Sequence, residues 1–553
     1  MISSSLFRTV STLLLMCAIP RLVLAVSCNV AAPHVPSPAR ALFLHGDYEG
    51  AIRLYNEALA HAPFDPDLTA ELSDVLLHQQ KFREANDLVA KALAVHPQSA
   101  VLETALGFVQ LRAGTPWLAA QTVNRATKLD PCYARARLLN VELFRLNSLF
   151  KAAAAELKTA HLLDPYDLDI RLAWLQTLPL AERIQALEGY LNSPTGADPD
   201  DQRQLRFYLG HLKRFASQPR KPCLLTSKSK STELPFARIM RDATHVRAYG
   251  LDVKLNNHSA RLEVDTGADG LFISRSIARQ AGLQEFSTTE IGGVGDEGRK
   301  AAYTAYVDSI SIGSLEFHDC AVTVMDSRNV VGIDGLIGAN VFSRFLVTLD
   351  YPMRKIELGP LPPRPQDTAA SPPSLATDAE ENSANENAGH EDKEQPRPVA
   401  AKGPHDRYIA PEMADWTKVY RMGDKLLIPA ALNQTVERLF VLDTGAFSTV
   451  ISPEAARAVT KVHKDYGMQV SGVDGKVKQV YSTGKVTFDF ANLRQPAEQV
   501  VAFDTSELSK HMGLEISGFL GINTLGQLQV KIDYRDALVK FEYDPKRGYR
   551  SVF

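Results

Sequence analysis

From about Leu234 onward the sequence states one ordered set of elements twice, and this duplication limits the fold more than any other feature. The first copy runs Leu262-Glu263-Val264-Asp265-Thr266-Gly267-Ala268, then Leu271-Phe272-Ile273-Ser274. The second runs Phe440-Val441-Leu442-Asp443-Thr444-Gly445-Ala446, then Thr449-Val450-Ile451-Ser452. Each continues into a Gly-rich hairpin signal, Ile291-Gly292-Gly293-Val294-Gly295 and Val470-Ser471-Gly472-Val473-Asp474-Gly475. Each then reaches an apolar-apolar-Gly element, Gly335-Leu336-Ile337-Gly338 and Gly518-Phe519-Leu520-Gly521, and closes on a strand pair near 345–351 and 528–534. From Asp to the last Gly the distances are 73 and 78 residues. Short β-branched and aromatic runs split by Gly and Asn predict two all-β lobes, over 233–360 and 405–548.

This set resembles the pepsin and retropepsin family of aspartic peptidases over about 234–360 and 405–548. The resemblance implies closed-barrel-like acid-protease lobes and an aspartic-type endopeptidase, a hydrolase, with Asp265 and Asp443 as the catalytic pair. Peptide hydrolysis without a metal or covalent nucleophile needs a base for water and an acid for the carbonyl oxygen. Two carboxylates about 3 Å apart supply both in this family, because like charges that close share one proton. By the same resemblance Thr266 and Thr444 hydrogen-bond across the pair and fix its orientation. Gly267 and Gly445 let the backbone pass beneath, and Ala268 and Ala446 leave the carboxyl faces open. Leu336, Ile337, Gly338, Phe519, Leu520 and Gly521 belong behind the Asp strands. The hairpins at 292–295 and 472–475 are the flaps that close over substrate and exclude water. No cofactor or metal is implied. The sequence departs from the family in three places. Its flaps lack the Tyr of pepsin-type enzymes. Asp269-Gly270 follows the first motif but Phe447-Ser448 the second, so the halves of the cleft differ. The second lobe has no cysteine, unlike the disulfide-bonded secreted pepsins.

One Asp per lobe means that two lobes must meet. An intramolecular pseudo-dimer is the economical arrangement; the alternative is a homodimer in which first lobes pair between chains. The segment 361–404, rich in Pro, Ala, Glu and Asn without periodicity, is expected to be a disordered linker. Its roughly 44 residues give a flexible reach of about 35–40 Å, and effective concentrations in the mM range favour pairing within the chain. A second functional reading is a catalytically idle, protease-like peptide-binding scaffold.

The first half has a different period. Pro63, Pro97, Pro131 and Pro165 are spaced by 34 residues, as are Ala51, Ala85, Ala119 and Ala153, and Ala58, Ala92, Ala126 and Ala160. Such a period resembles the tetratricopeptide repeats, here over 38–178, and implies an all-α solenoid of paired antiparallel helices. Pro36 and Pro38 truncate the first repeat. A solenoid of this kind either presents a concave surface to peptide or protein partners or acts as a spacer. Helical patterns at 181–191 and 201–215 cap the stack, and the Ser/Lys/Pro-rich stretch 217–232 reads as a linker, so cap and linker together span 179–232.

Arg8, the apolar run from Leu13 to Ile19 and the small residue Ala25 follow the order of a signal peptide over 1–25. The chain is therefore expected to be exported, periplasmic or extracellular, with a lipid anchor at Cys28 as a further option. No later apolar run is long enough to span a bilayer. A net charge of −3 carries no basic excess for nucleic acid. The remaining Cys28, Cys132, Cys223 and Cys320 show no metal-ligand spacing, and their pairing is open. His45, His61, His78 and His96 fall at helical positions as ordinary surface or core residues. Gly292-Gly293-Val294-Gly295 lacks the Lys-Ser/Thr of a phosphate loop.

Overall fold

The computed structural model describes residues 28–33, 35–240, 246–326, 334–365 and 404–547. The expected signal peptide and most of the linker expected over 361–404 lie outside the described residues.

The 34-residue period is visible as helix starts. The second helices of the repeats begin at Tyr48, Phe82, Pro116 and Phe150, and end at His61, Val95, Leu129 and Leu163, each two residues before its Pro. Proline restricts the residue before it to extended backbone, so the helix stops there. The matching first helices are Pro38–Leu44, Pro66–His78, Ala100–Arg112 and Ala134–Leu146; the first is the short one, as its prolines require. Asp47, Asp65 and Ser99 accept backbone N–H bonds from Gly50, Leu68 and Leu102 and cap the helices they precede. Ala51, Ala85 and Ala119 are fully buried, so small side chains stand where the paired helices touch. Leu168–Leu175, Leu180–Leu191 and Pro199–Ser217 continue the stack.

The solenoid is not a free arm. Phe108, Leu111, Val123, Leu139 and Leu143 share one apolar core with Leu439, Val441, Phe503, Leu514 and Ile516 of the second lobe. Polar contacts seal its edge: Arg112 donates to Gly513 O at 2.5 Å, Glu515 N donates to Arg112 O at 2.8 Å, and Phe150 N donates to His405 O at 3.1 Å. A helical face that could have met a partner is thus covered by the chain's own second lobe.

In the first lobe, strand pairings form a ring. Val246–Leu255 pairs with His258–Asp265, then in turn come Gly335–Gly338, Leu271–Ser274, Leu315–Met325 and Lys300–Ile312, which returns to Val246–Leu255. The second lobe repeats the central order with Lys425–Leu432, Val436–Leu442, Gly518–Leu520 and Val450–Ile451, but its path stays open, so barrel-like closure holds for one lobe only. The lobes join through a six-stranded antiparallel sheet. Phe345–Asp350 pairs with Gln529–Asp533 at its centre, flanked by Lys355–Pro360 on one side and Leu538–Glu542 on the other.

Three expectations are corrected. The stretch 217–232 is not a simple linker: Leu224–Leu225 pairs with the 315–325 strand, and Cys223 is disulfide-bonded to Cys320. The first lobe therefore gathers chain from before 233, and it carries a disulfide as secreted pepsins do, although the second lobe has none. Cys28 is bonded to Cys132, so its sulfur is not available for a lipid anchor. Among the described residues no helix is long and apolar enough to cross a membrane.

Candidate active site

The two Asp-Thr-Gly turns meet at the lobe boundary. Each Asp follows a buried apolar strand that runs parallel to an apolar-apolar-Gly strand: Gly338 lies opposite Asp265, and Asp443 N donates to Leu520 O at 3.1 Å. The closing glycines are required by crowding. A Cβ on Gly338 would stand 2.6 Å from the carbonyl oxygens of Ala268 and Gly270, and one on Gly521 would stand 2.5 Å from the Ser448 carbonyl carbon. Leu336, Ile337, Phe519 and Leu520 are buried, on strands that lie directly beside the Asp strands in the same sheet.

Four reciprocal hydrogen bonds lock the turns together. Thr266 Oγ1 donates to Leu442 O at 2.7 Å and accepts from Thr444 N at 3.0 Å. Thr444 Oγ1 donates to Val264 O at 2.7 Å and accepts from Thr266 N at 3.1 Å. Each motif's glycine lies against the other lobe's carboxylate: a Cβ on Gly267 would be 2.6 Å from Asp443 Cγ, and one on Gly445 would be 2.5 Å from Asp265 Cγ. The pair assembles within one chain.

The carboxylates are oriented alike. Gly267 N donates to Asp265 Oδ1 at 2.8 Å; Gly445 N and Ala446 N donate to Asp443 Oδ1 at 2.9 and 3.0 Å. Burial pushes Asp265 above the usual carboxylate range, against the pull of the Gly267 N–H, Asp443 and the Lys425 ammonium. Burial and the charge of Asp265 push Asp443 well above it. Such a pair holds one proton between two oxygens and can take a proton and give one in the same step.

The two Gly-rich hairpins interlock with each other. Gly293 N donates to Asp474 Oδ2 at 3.0 Å, and Asp474 N donates to Val294 O at 2.9 Å. Val294 packs into the core shared by the second lobe and the solenoid, while Val473 packs beside Phe272, Ala302 and Met325 of the first lobe. Each tip thus crosses to the opposite lobe. Gly295, at φ +133°, and Gly472 are needed because a Cβ there would stand within 2.4 Å of Asp474 and Val294 backbone. Gly292 and Gly475 complete the two turns, with Arg299 and Glu297 against them.

Some supporting residues escaped sequence reasoning. Asn340 accepts from Gly270 N at 3.0 Å and Asn523 accepts from Thr449 N at 2.6 Å, tying the loop after each Asp to the helical turn behind it. Their signal was present as Gly-x-Asn at the end of both apolar-apolar-Gly elements. Lys425 pairs with Asp269 across the lobes. Glu263, buried on the Asp265 strand, pairs with Arg247 at 2.5 Å. Lone charges of this kind have no motif; only the contact identifies them.

The aspartyl protease family model matches residues 251–341 and 428–524, and a tetratricopeptide repeat model matches residues 42–107. DNA damage-inducible protein 1 of Neurospora crassa is 31% identical over 102 residues, 18% of this chain and 22% of that protein. The chain therefore spans about a fifth of that relative's length. Among solved structures, a retropepsin-like aspartic protease from Rickettsia conorii is 21% identical and covers 24% of this chain and 93% of its own, with a TM-score of 0.19. A thermophilic tetratricopeptide protein from Thermus thermophilus is 20% identical and covers 32% and 95%, with a TM-score of 0.25. The chain thus carries two segments of aspartyl protease type, 251–341 and 428–524, and tetratricopeptide repeats at 42–107.

Proposed function

We propose that the chain is an exported aspartic endopeptidase whose Asp265 and Asp443 form one water-activating pair within a single molecule. The observation that carries this reading is the reciprocal fit of the two motifs, each glycine lying against the opposite carboxylate. In the step this geometry supports, one carboxylate takes a proton from water as the water oxygen bonds to the scissile carbon. The other carboxyl gives its proton to the carbonyl oxygen. As the resulting diol collapses and the C–N bond breaks, the amine nitrogen takes the proton from the first carboxyl and a diol hydroxyl returns one to the second carboxylate, so the pair again holds one proton. The interlocked hairpins exclude bulk water above the site. The catalytically idle alternative has no support from the pair itself, since both motifs are intact and hydrogen-bonded. The homodimer alternative is disfavoured because the second lobe already completes the first.

Two disulfides fit an oxidising compartment and so support export. The tetratricopeptide solenoid supports a protein-binding role through faces other than the one that the second lobe covers. The test is cleavage of a peptide library across pH by the wild-type chain, Asp265→Asn and Asp443→Asn. Each single variant should lose cleavage; full activity in either would refute the intramolecular pair, and a silent Asp443→Asn alone would favour first-lobe homodimers.

A further inference from the structure

The interlocked hairpins do not stand alone, for one helix of the solenoid touches them. They bond to each other through backbone and side chain alike. Beyond the contacts between Gly293, Val294 and Asp474, Glu297 N donates to Asp474 O at 2.7 Å and Asp296 N donates to Lys476 O at 3.1 Å. Lys476 N donates to Glu297 Oε1 at 3.2 Å, and Lys478 N donates to Asp296 Oδ2 at 2.7 Å. The tips stand beside the two Asp loops. Val473 shares an apolar cluster with Phe272, seven residues past Asp265, and Val294 shares one with Ala446, three residues past Asp443.

Helix Pro199–Ser217 and the residues just after it meet the outer strand Glu285–Ile291 of the first hairpin. Arg203 Nε donates to Glu290 Oε2 at 2.9 Å, and His211 Nδ1 lies 2.9 Å from Ser287 Oγ. Arg214 and Arg220 stand over the Phe286 ring at 5.9 and 5.6 Å. At the other end of the helix, its N-cap Asp198 accepts from Lys510 of the second lobe at 2.8 Å. One helix therefore ties the hairpin of the first lobe to the body of the second.

The two sides of this helix differ in kind. Leu205, Leu209 and Leu212 pack in one apolar cluster with Leu187 and Leu191 of the preceding helix. The loop that leads into the helix is fastened to the first repeat, where Gly196 N donates to Leu44 O at 2.9 Å and Tyr48 Oη donates to Gly196 O at 3.1 Å. Toward the lobes the helix offers ion pairs instead, whose Arg203 and Lys510 side chains are 46% and 34% exposed. Partly exposed ion pairs hold weakly and are screened by salt. The helix thus belongs firmly to the solenoid and reversibly to the hairpin.

We infer that helix Pro199–Ser217 is a latch through which the solenoid holds the interlocked hairpins shut, so that a peptide reaches the Asp pair only when the latch lets go. The inference rests on the peptidase reading above and gives the solenoid a regulatory role in it.

The test is amide exchange at the hairpin tips, measured beside kcat/KM for a peptide, on the full chain and two variants. Arg203→Glu sets two like charges against each other at the hairpin strand. Exchange at Gly293, Asp296, Glu297, Asp474, Lys476 and Lys478 should quicken roughly threefold to fivefold, and kcat/KM should rise by a similar factor. Arg203→Glu combined with Glu290→Arg reverses the pair and should return both readings toward wild type. Unchanged tip exchange in Arg203→Glu overturns the inference, and so does a double variant that exchanges as fast as the single one. Faster tip exchange with unchanged cleavage overturns it as well, since the hairpins would then not limit access. Should the wild-type chain cleave nothing, the peptidase reading fails, and tip exchange in the three proteins alone decides the latch.

Discussion

Replacing Thr266 by Val keeps the side chain's shape and removes one hydroxyl. In the structure that hydroxyl serves two buried groups in the other lobe, donating to Leu442 O at 2.7 Å and accepting from Thr444 N at 3.0 Å. Thr266, Leu442 and Thr444 are each no more than 2% exposed, so water cannot replace the lost partners. A buried polar group left without a hydrogen bond costs about 1–3 kcal/mol, which puts the loss at about 2–5 kcal/mol. Thr266→Ser keeps the hydroxyl and loses a methyl group, roughly 1 kcal/mol. The assay is urea unfolding followed by Trp416 fluorescence. Trp416 packs with Leu346 and Leu538 on the sheet that joins the lobes, so it reports on their pairing. Peptide cleavage should fall in parallel for Val and survive for Ser. Equal destabilisation by Val and Ser, or a Val cost below about 1 kcal/mol, would falsify the claim that this network holds the lobes together.

Three further outcomes are expected. The Asp536 carboxylate accepts from Arg364 at 2.7 Å and from Tyr408 N at 2.8 Å, so both ends of the inter-lobe segment are fastened at one point. A chain nicked within 366–403 should still elute as one particle in gel filtration, and separation into two would contradict that arrangement. The helix Pro199–Ser217 grips the outer strand of the first hairpin, His211 Nδ1 lying 2.9 Å from Ser287 Oγ and its ring 5.6 Å from Phe286. His211→Ala should speed amide exchange in Glu285–Ile291 roughly fivefold, equivalent to about 1 kcal/mol; unchanged exchange argues against the grip. Burial lifts the Glu263 carboxyl to about 7, against the pull of Arg247 and with the push of Asp265. Since the folded pKa exceeds the unfolded one, near 4.3, the folded chain binds more protons between these values and loses stability as pH rises through that window. Glu263→Gln should therefore gain in Tm relative to wild type as pH rises from about 4.5 to 7, and a constant difference would contradict the shift.

Much of the fold was legible because its signals are local. The 34-residue prolines mark helix ends directly, since a proline constrains its immediate neighbour. The two Asp-Thr-Gly sets mark the pair because strand, turn and support lie within one lobe and in fixed order. Less legible was the segment before 233: Leu224–Leu225 is too short to carry a period, and only its pairing to the 315–325 strand makes it part of the lobe.

What the sequence alone determined is thus the identity of the pieces: a helical repeat, two like β lobes, two hairpins and the two carboxylates between them. Tertiary structure alone decided how the pieces act on one another. It laid the solenoid on the second lobe, set one cap helix against the first hairpin and crossed the hairpin tips. It also sent Lys425 to Asp269 while turning Arg247 back to Glu263. These are contacts between residues far apart in the chain, chosen by burial and charge rather than by spacing. A periodicity can show which face of an element is apolar, but it cannot show which distant surface will cover that face.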